Sequence, residues 1–120
     1  MASFTDWNQQ DGFEAFPGDF VWNVSGEALQ VIRAEIAPGT DFGLHSHHQE
    51  QIICVLAGQL EFTVDGETRV VGPGQVIHAP PGVEHGGRVV SDDPVITLEA
   101  FSPPRANFSN NQAMVFEDPV

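Results

Sequence analysis

Glycine and proline break this chain so often that it has little room for a long helix: 12 glycines and 9 prolines are spread over 120 residues. No segment sustains a 3.6-residue apolar period for the three turns of an average helix. Between the breaks, apolar and polar residues alternate instead. Phe20, Trp22 and Val24 fall on one parity, and Ile32, Ala34 and Ile36 on another strand's single face. The turn pairs Pro38-Gly39, Asp65-Gly66, Pro73-Gly74 and Pro81-Gly82 separate such runs. This pattern predicts strands over 20–24, 29–36, 51–57, 59–64, 68–71, 75–79, 87–90 and 95–101. About eight short strands at close spacing predict an all-β sandwich or barrel. At this length one domain is expected, burying about two-thirds of its unfolded surface. The barrel should occupy residues 20–108, with an N-terminal arm over 1–19 and a C-terminal tail over 109–120. Within the tail, Ser109-Asn110-Asn111-Gln112 reads as a hinge, and 113–116 can add a strand.

Some strands are apolar on both faces. Gln51, Ile53 and Val55 share one parity, while Ile52, Cys54 and Leu56 share the other. A strand apolar on both sides is buried on both sides. A chain this short has too little material to cover the outer face, so a homodimer is expected. Cys54 is the single cysteine, which excludes an internal disulfide, and it reads as a small packing residue.

Seventeen acidic residues face four basic ones, all arginine, for a formal charge of -13. Such a chain repels phosphate backbones and anionic lipid, so neither nucleic acid nor membrane is an expected partner. No apolar run reaches the roughly 18 residues of a membrane helix. The first residues show neither a basic start nor an apolar core of a secretory leader, which makes the cytoplasm the expected location. Tyrosine is absent, removing one common general base.

The five histidines fall in two places. The first is His45-Ser46-His47-His48-Gln49-Glu50-Gln51. The second is His85, after Pro80-Pro81-Gly82, with His78 just before. In an extended segment His45, His47 and Gln51 aim one way, while His48 and Glu50 aim the other. Two imidazoles at i and i+2 let a strand present two metal ligands together, and imidazole suits zinc, copper, iron and nickel. A pair of surface histidines is the alternative reading of the first cluster alone.

The two segments together resemble the cupin family. Gly39, His45, His47, Gln51 and Gly58 fall at the spacings of the first cupin motif. Gly74, Pro80, Gly82 and His85 fall at those of the second, and fifteen residues separate Gly58 from Gly74. The asparagine common four residues after the last histidine is Val89 here. The resemblance implies a double-stranded β-helix, or jelly-roll, barrel. It also implies one divalent metal ion (Zn, Ni, Mn or Fe) on His45, His47, residue 51 and His85. The family's usual glutamate is Gln51, a neutral ligand. That leaves a bound dication's charge uncompensated and lacks the carboxylate of iron oxygenase sites.

Residues 95–101 place Glu99 among apolar strand neighbours, where a carboxylate is costly unless paired or used. Arg105 follows past Pro103-Pro104. It can pair with Glu99 at the rim or fork onto a substrate carboxylate. Three runs, 45–52, 61–68 and 101–108, resemble the KdgF-type cupins of pectin and alginate breakdown. Those proteins ketonise 4,5-unsaturated monouronates, and they too carry glutamine at the fourth ligand position. The resemblance implies catalytic roles for Glu99, Phe101 and Arg105. The acid is usually aspartate in that group, and proline and histidine commonly stand where this chain has His48 and Gln49. A small-molecule substrate and a metal-dependent isomerase or lyase-like reaction are therefore expected. Another cupin enzyme, such as a dioxygenase or polyketide cyclase, is an alternative. So is a non-catalytic cupin that binds metal or a small ligand.

Overall fold

A computed structural model describes residues 2–108 and 115–116. The strands are β1 (Phe4–Thr5), β2 (Phe13–Phe16), β3 (Asp19–Ser25), β4 (Gln30–Ile36), β5 (Glu50–Ala57), β6 (Leu60–Val64), β7 (Glu67–Val71), β8 (Val76–Ala79), β9 (His85–Val89), β10 (Val95–Ser102) and β11 (Val115–Phe116). Single 3₁₀ turns at Trp7–Gln9 and Ala106–Phe108 are the helical elements among the described residues. Each of the eight strands expected from the pattern is present. The greatest shift is at β9, which starts two residues early, because Gly86 and Gly87 disguise its beginning.

Six strands form one antiparallel sheet in the order β2-β3-β4-β10-β5-β8, and three form a second, β7-β6-β9. Neighbours far apart in sequence, such as β4 with β10 and β6 with β9, make this a jelly roll. The inner faces of both sheets meet in one core, with Val21, Ile32, Ile53 and Val95 from the larger sheet and Leu60 and Phe62 from the smaller. The turn between β6 and β7 shows how sequence sets local geometry. Asp65 and Gly66 both take positive φ (49° and 80°), which matches the tight primed turn that this dipeptide favours.

The segment expected as an arm over 1–19 contributes β2, hydrogen-bonded to β3 at the sheet edge. Ahead of β2 the chain crosses the outer face of β3. A side chain at Gly12 would strike the rings of Phe20 and Trp22, and the Trp22 indole Nε1 donates to the Gln10 carbonyl at 3.3 Å. Val115 and Phe116 pair with Thr5 and Phe4, so the far end of the chain returns to its beginning. The expected hinge at 109–112 lies outside the described residues.

The outer face of the larger sheet away from β3 stays open. Ile52, Leu56, Val76 and Leu98 are all exposed there, with Cys54 half-buried among them. Ile52, Cys54 and Leu56 are the side chains that the two-faced pattern of β5 sends outward, and Val76 of β8 and Leu98 of β10 extend their face.

The interior also holds an acid. Asp19 is buried, and its Oδ1 has no hydrogen-bond partner among the described residues. Burial first, and the negative charge of Glu99 second, push its carboxyl up to about 8. A folded-state value above the unfolded one means that folding favours the protonated acid. Stability is therefore full below about pH 4 and falls as pH rises towards 8. Asp19→Asn should match the parent protein in urea melts near pH 4. By pH 8 it should be more stable by a few kcal/mol, as expected for a shift of this size. Melting curves whose separation does not change with pH would contradict this.

Candidate functional site

The two histidine segments meet across the barrel through their backbones. His45 N donates to the His85 carbonyl, and His85 N to the His45 carbonyl, each at 2.8 Å. Gly82 N donates to the His47 carbonyl at 2.8 Å, which ties the Pro-Pro-Gly turn to the first segment. Gly86 makes the approach possible. A Cβ there would overlap the Gly43 carbonyl, so only glycine lets the loop before His45 lie against β9.

This closure brings the rings of His45, His47 and His85 together. Ring centroids lie 4.6 Å apart for His45–His85, 4.7 Å for His47–His85 and 5.8 Å for His45–His47. One nitrogen from each ring falls within 4.8 Å of the others, a grouping able to hold a metal ion. The remaining ring nitrogens are held by backbone. His47 Nδ1 bonds the Gln49 carbonyl at 3.0 Å, His85 Nδ1 the Val83 carbonyl at 2.8 Å, and the His45 ring the Gly43 backbone. Holding one nitrogen to a carbonyl turns the other's lone pair inward, the arrangement metal-ligating histidines use. Burial foremost, with the neighbouring His85 and Arg105 charges, holds His45 and His47 below the ordinary imidazole range. Both therefore favour the neutral, ligating form. His85 Nε2 is buried without a partner among the described residues, at considerable cost unless something binds it. The donor set thus fits a divalent cation.

Gln51 joins the group. Its Nε2 donates to Glu99 Oε1 at 2.8 Å, which leaves its amide oxygen towards His47 Nε2 at 3.1 Å. Glu99 thereby orients the amide with its oxygen on the histidine side. Thr97 Oγ1 donates to the other Glu99 oxygen at 2.7 Å. Burial dominates these bonds and the nearby Arg105 charge, so the Glu99 carboxyl is raised above the ordinary range.

A cavity of about 70 Å³ adjoins this network. His45, Gln51, His85, Glu99, Phe101 and Arg105 all line it. The Arg105 guanidinium sits over the rings of Phe101 and Phe108, at 5.5 and 5.1 Å. Its backbone is pinned by Gln30, whose Oε1 accepts from Arg105 N at 3.0 Å and whose Nε2 donates to the Arg105 carbonyl at 3.1 Å. His48 is exposed, and His78 points outward to meet Glu50 at 2.7 Å.

Sequence reasoning missed Gln30, Phe42 and Gln49. Gln49 is buried and reaches the Pro104 carbonyl at 3.4 Å, clamping the first histidine segment to the end of β10. Strand parity groups it with His45, His47 and Gln51, yet it reaches Pro104 and does not line the cavity. The chain bends at residues 48 and 49, and β5 starts only at Glu50. His45, His47 and Gln51 therefore converge through the backbone bridges to His85 and Gly82 and not along one continuous strand.

A jelly roll with three converging histidines in its interior defines a class. Residues 32–101 match the Cupin domain family, and the chain belongs to it. Within that family it is a KdgF-like cupin. It is 33% identical over 82 residues to the pectin degradation protein KdgF of Dickeya dadantii, a match covering 67% of this chain and 73% of that protein. The structure of KdgF from Halomonas sp. superimposes with a TM-score of 0.81 at 26% identity, covering 89% of this chain and 98% of that one. The chain is also 34% identical over 71 residues to the H2HPP isomerase of Bacillus subtilis, covering 58% of this chain and only 30% of the isomerase's length. No helix among the described residues is long and apolar enough to cross a membrane.

Proposed function

We propose that this cupin opens and ketonises a 4,5-unsaturated monouronate. One observation carries the reading. A buried carboxyl, Glu99, shares one small cavity with the histidine cluster and with Arg105. The likeness to a protein named for pectin degradation supports the substrate class. Opening the hemiacetal of such a sugar frees an enol hydroxyl. Ketonisation then adds a proton to the alkene carbon and removes one from that hydroxyl, so no oxidant is consumed.

A divalent ion (Zn, Ni, Mn or Fe) on His45, His47, Gln51 and His85 supplies Lewis-acid polarisation of a substrate oxygen. Arg105 holds the substrate carboxylate through its planar fork of donors. Phe101 forms the apolar wall beneath it. Glu99, whose carboxyl burial raises above the ordinary range, moves the proton. Arg105 also brings positive charge to an otherwise strongly acidic chain, which an anionic substrate requires. The test is conversion of 4,5-unsaturated galacturonate by the metal-loaded protein, followed by loss of ultraviolet absorbance and by proton NMR. Acceleration over buffer supports the reading. No acceleration with any of the four metals rejects it, and tight binding without turnover makes the protein a ligand-binding cupin.

The protein works, in this reading, as a cytoplasmic homodimer joined through the open face around Ile52, Leu56, Val76 and Leu98. The N-terminal segment already covers the β3 end of that sheet, so a second copy has the remaining apolar surface to bury. Light scattering at micromolar concentration should give twice the 13.0 kDa chain mass. Leu98→Asp should shift it to monomer with its β-sheet circular dichroism kept. A monomeric parent protein would contradict the interface.

A further inference from the structure

The inner cavity is small for a sugar acid, since pockets that enclose small molecules usually span about 300–1,000 Å³. A second hollow of about 330 Å³ adjoins it and shares Phe42, His45, Arg105 and Phe108 as lining. Its outer wall comes from Ala15 and Phe16 of β2, in the segment that the sequence pattern left as an arm. Phe16 is 39% exposed at this wall. Its ring lies 5.1 Å from that of Phe42, tilted by 37°. Phe16 thus presents an aromatic face to the hollow, backed by Phe42, which packs against the core. The Arg105 cation and the His45 ring line the same hollow.

We propose that Phe16, backed by Phe42, is a platform for the pyranose ring of the substrate, making β2 a specificity-determining part of the site. This rests on the uronate reading above and adds where the ring sits. A pyranose acid has a face of C–H bonds with slight positive charge, which the negative face of an aromatic ring attracts. With that face on Phe16, the ring occupies the larger hollow, and its carboxylate is within the compartment that Arg105 lines. An open-chain sugar acid has the same carboxylate but no rigid apolar face, so it gains little from the platform. The site thereby favours the closed substrate over a linear product.

The experiment compares the zinc-loaded parent protein, Phe16→Ala and Phe16→Trp by calorimetric binding of D-galacturonate, a saturated cyclic acid, and of an open-chain aldonate. Turnover of unsaturated galacturonate is measured alongside. Because Phe16 is exposed, its truncation leaves the core packed. Phe16→Ala should weaken galacturonate binding roughly fivefold, in line with an aromatic contact of about 1 kcal/mol beyond area burial. It should raise KM more than it lowers kcat, leave aldonate binding within about twofold, and be rescued by Phe16→Trp. Equal galacturonate affinity in the parent and Phe16→Ala proteins overturns the platform, as does an equal loss for the aldonate or no galacturonate binding by the parent. Phe16-dependent galacturonate binding without turnover keeps the platform and rejects the ketonisation reading. Turnover with an unchanged KM in Phe16→Ala rejects the platform and keeps the reaction.

Discussion

Glu99→Gln is expected to lower turnover of the unsaturated uronate by about 10²–10⁴, the contribution of one positioned acid or base. The substitution is close to isosteric. The glutamine oxygen can still accept from Gln51 Nε2, and its amide can meet Thr97 Oγ1, the two partners that Glu99 has now. Fold, metal content and substrate affinity should therefore persist while the transferable proton is lost. That separates two roles which the geometry gives this carboxyl, since it both orients Gln51 and faces the cavity. A Glu99→Gln protein with undiminished turnover would leave Glu99 as a positioning residue for the Gln51 amide. The pH profile adds a second readout. Burial raises the Glu99 carboxyl, so the limb of the parent profile that reports this acid should lie above the ordinary carboxylate range and vanish in the variant.

His47→Ala is expected to abolish stoichiometric metal binding. A histidine lost from the ligand set should cost at least the 10–100-fold in affinity seen when only a supporting residue is removed. His47 is the informative choice. His85 is almost wholly buried and packed against Phe62, with centroids 6.0 Å apart, so its truncation would damage the core as well. His47 is half-buried and closes the group from the outside. Metal analysis of tag-free protein should find about one ion per chain in the parent and none in His47→Ala. His78→Ala removes a histidine that faces outward to Glu50 and should keep the ion. Full metal retention by His47→Ala would refute the site.

The turn pairs and the alternation between them determined the all-β architecture, because both act over a few residues and need no distant partner. Two spaced motifs likewise made the three histidines legible, along with Gln51. Their spacing reflects turn geometry that recurs wherever this barrel closes. Glu99 stood out because a lone acid in an apolar strand has few bland explanations, and Arg105 because basic residues are so rare in this chain.

Other features were settled only by tertiary structure. The first histidine segment is bent, and His45 and His47 converge because backbone bonds from β9 and the Pro-Pro-Gly turn hold them. Those partners lie about forty residues away in sequence, where parity along one strand carries no information. The direction of Gln49 follows from the same bend. The amide of Gln51 turns its oxygen towards the histidines because Glu99, 48 residues on, accepts from its nitrogen. Asp19 reads in sequence as one more solvated acid, yet pairing between β3 and β4 places it inside the barrel. Residues 13–16 lack a clear period because an edge strand has one neighbour and half its side chains in water. Only the folded sheet places Phe16 beside Phe42 at the mouth of the cavity.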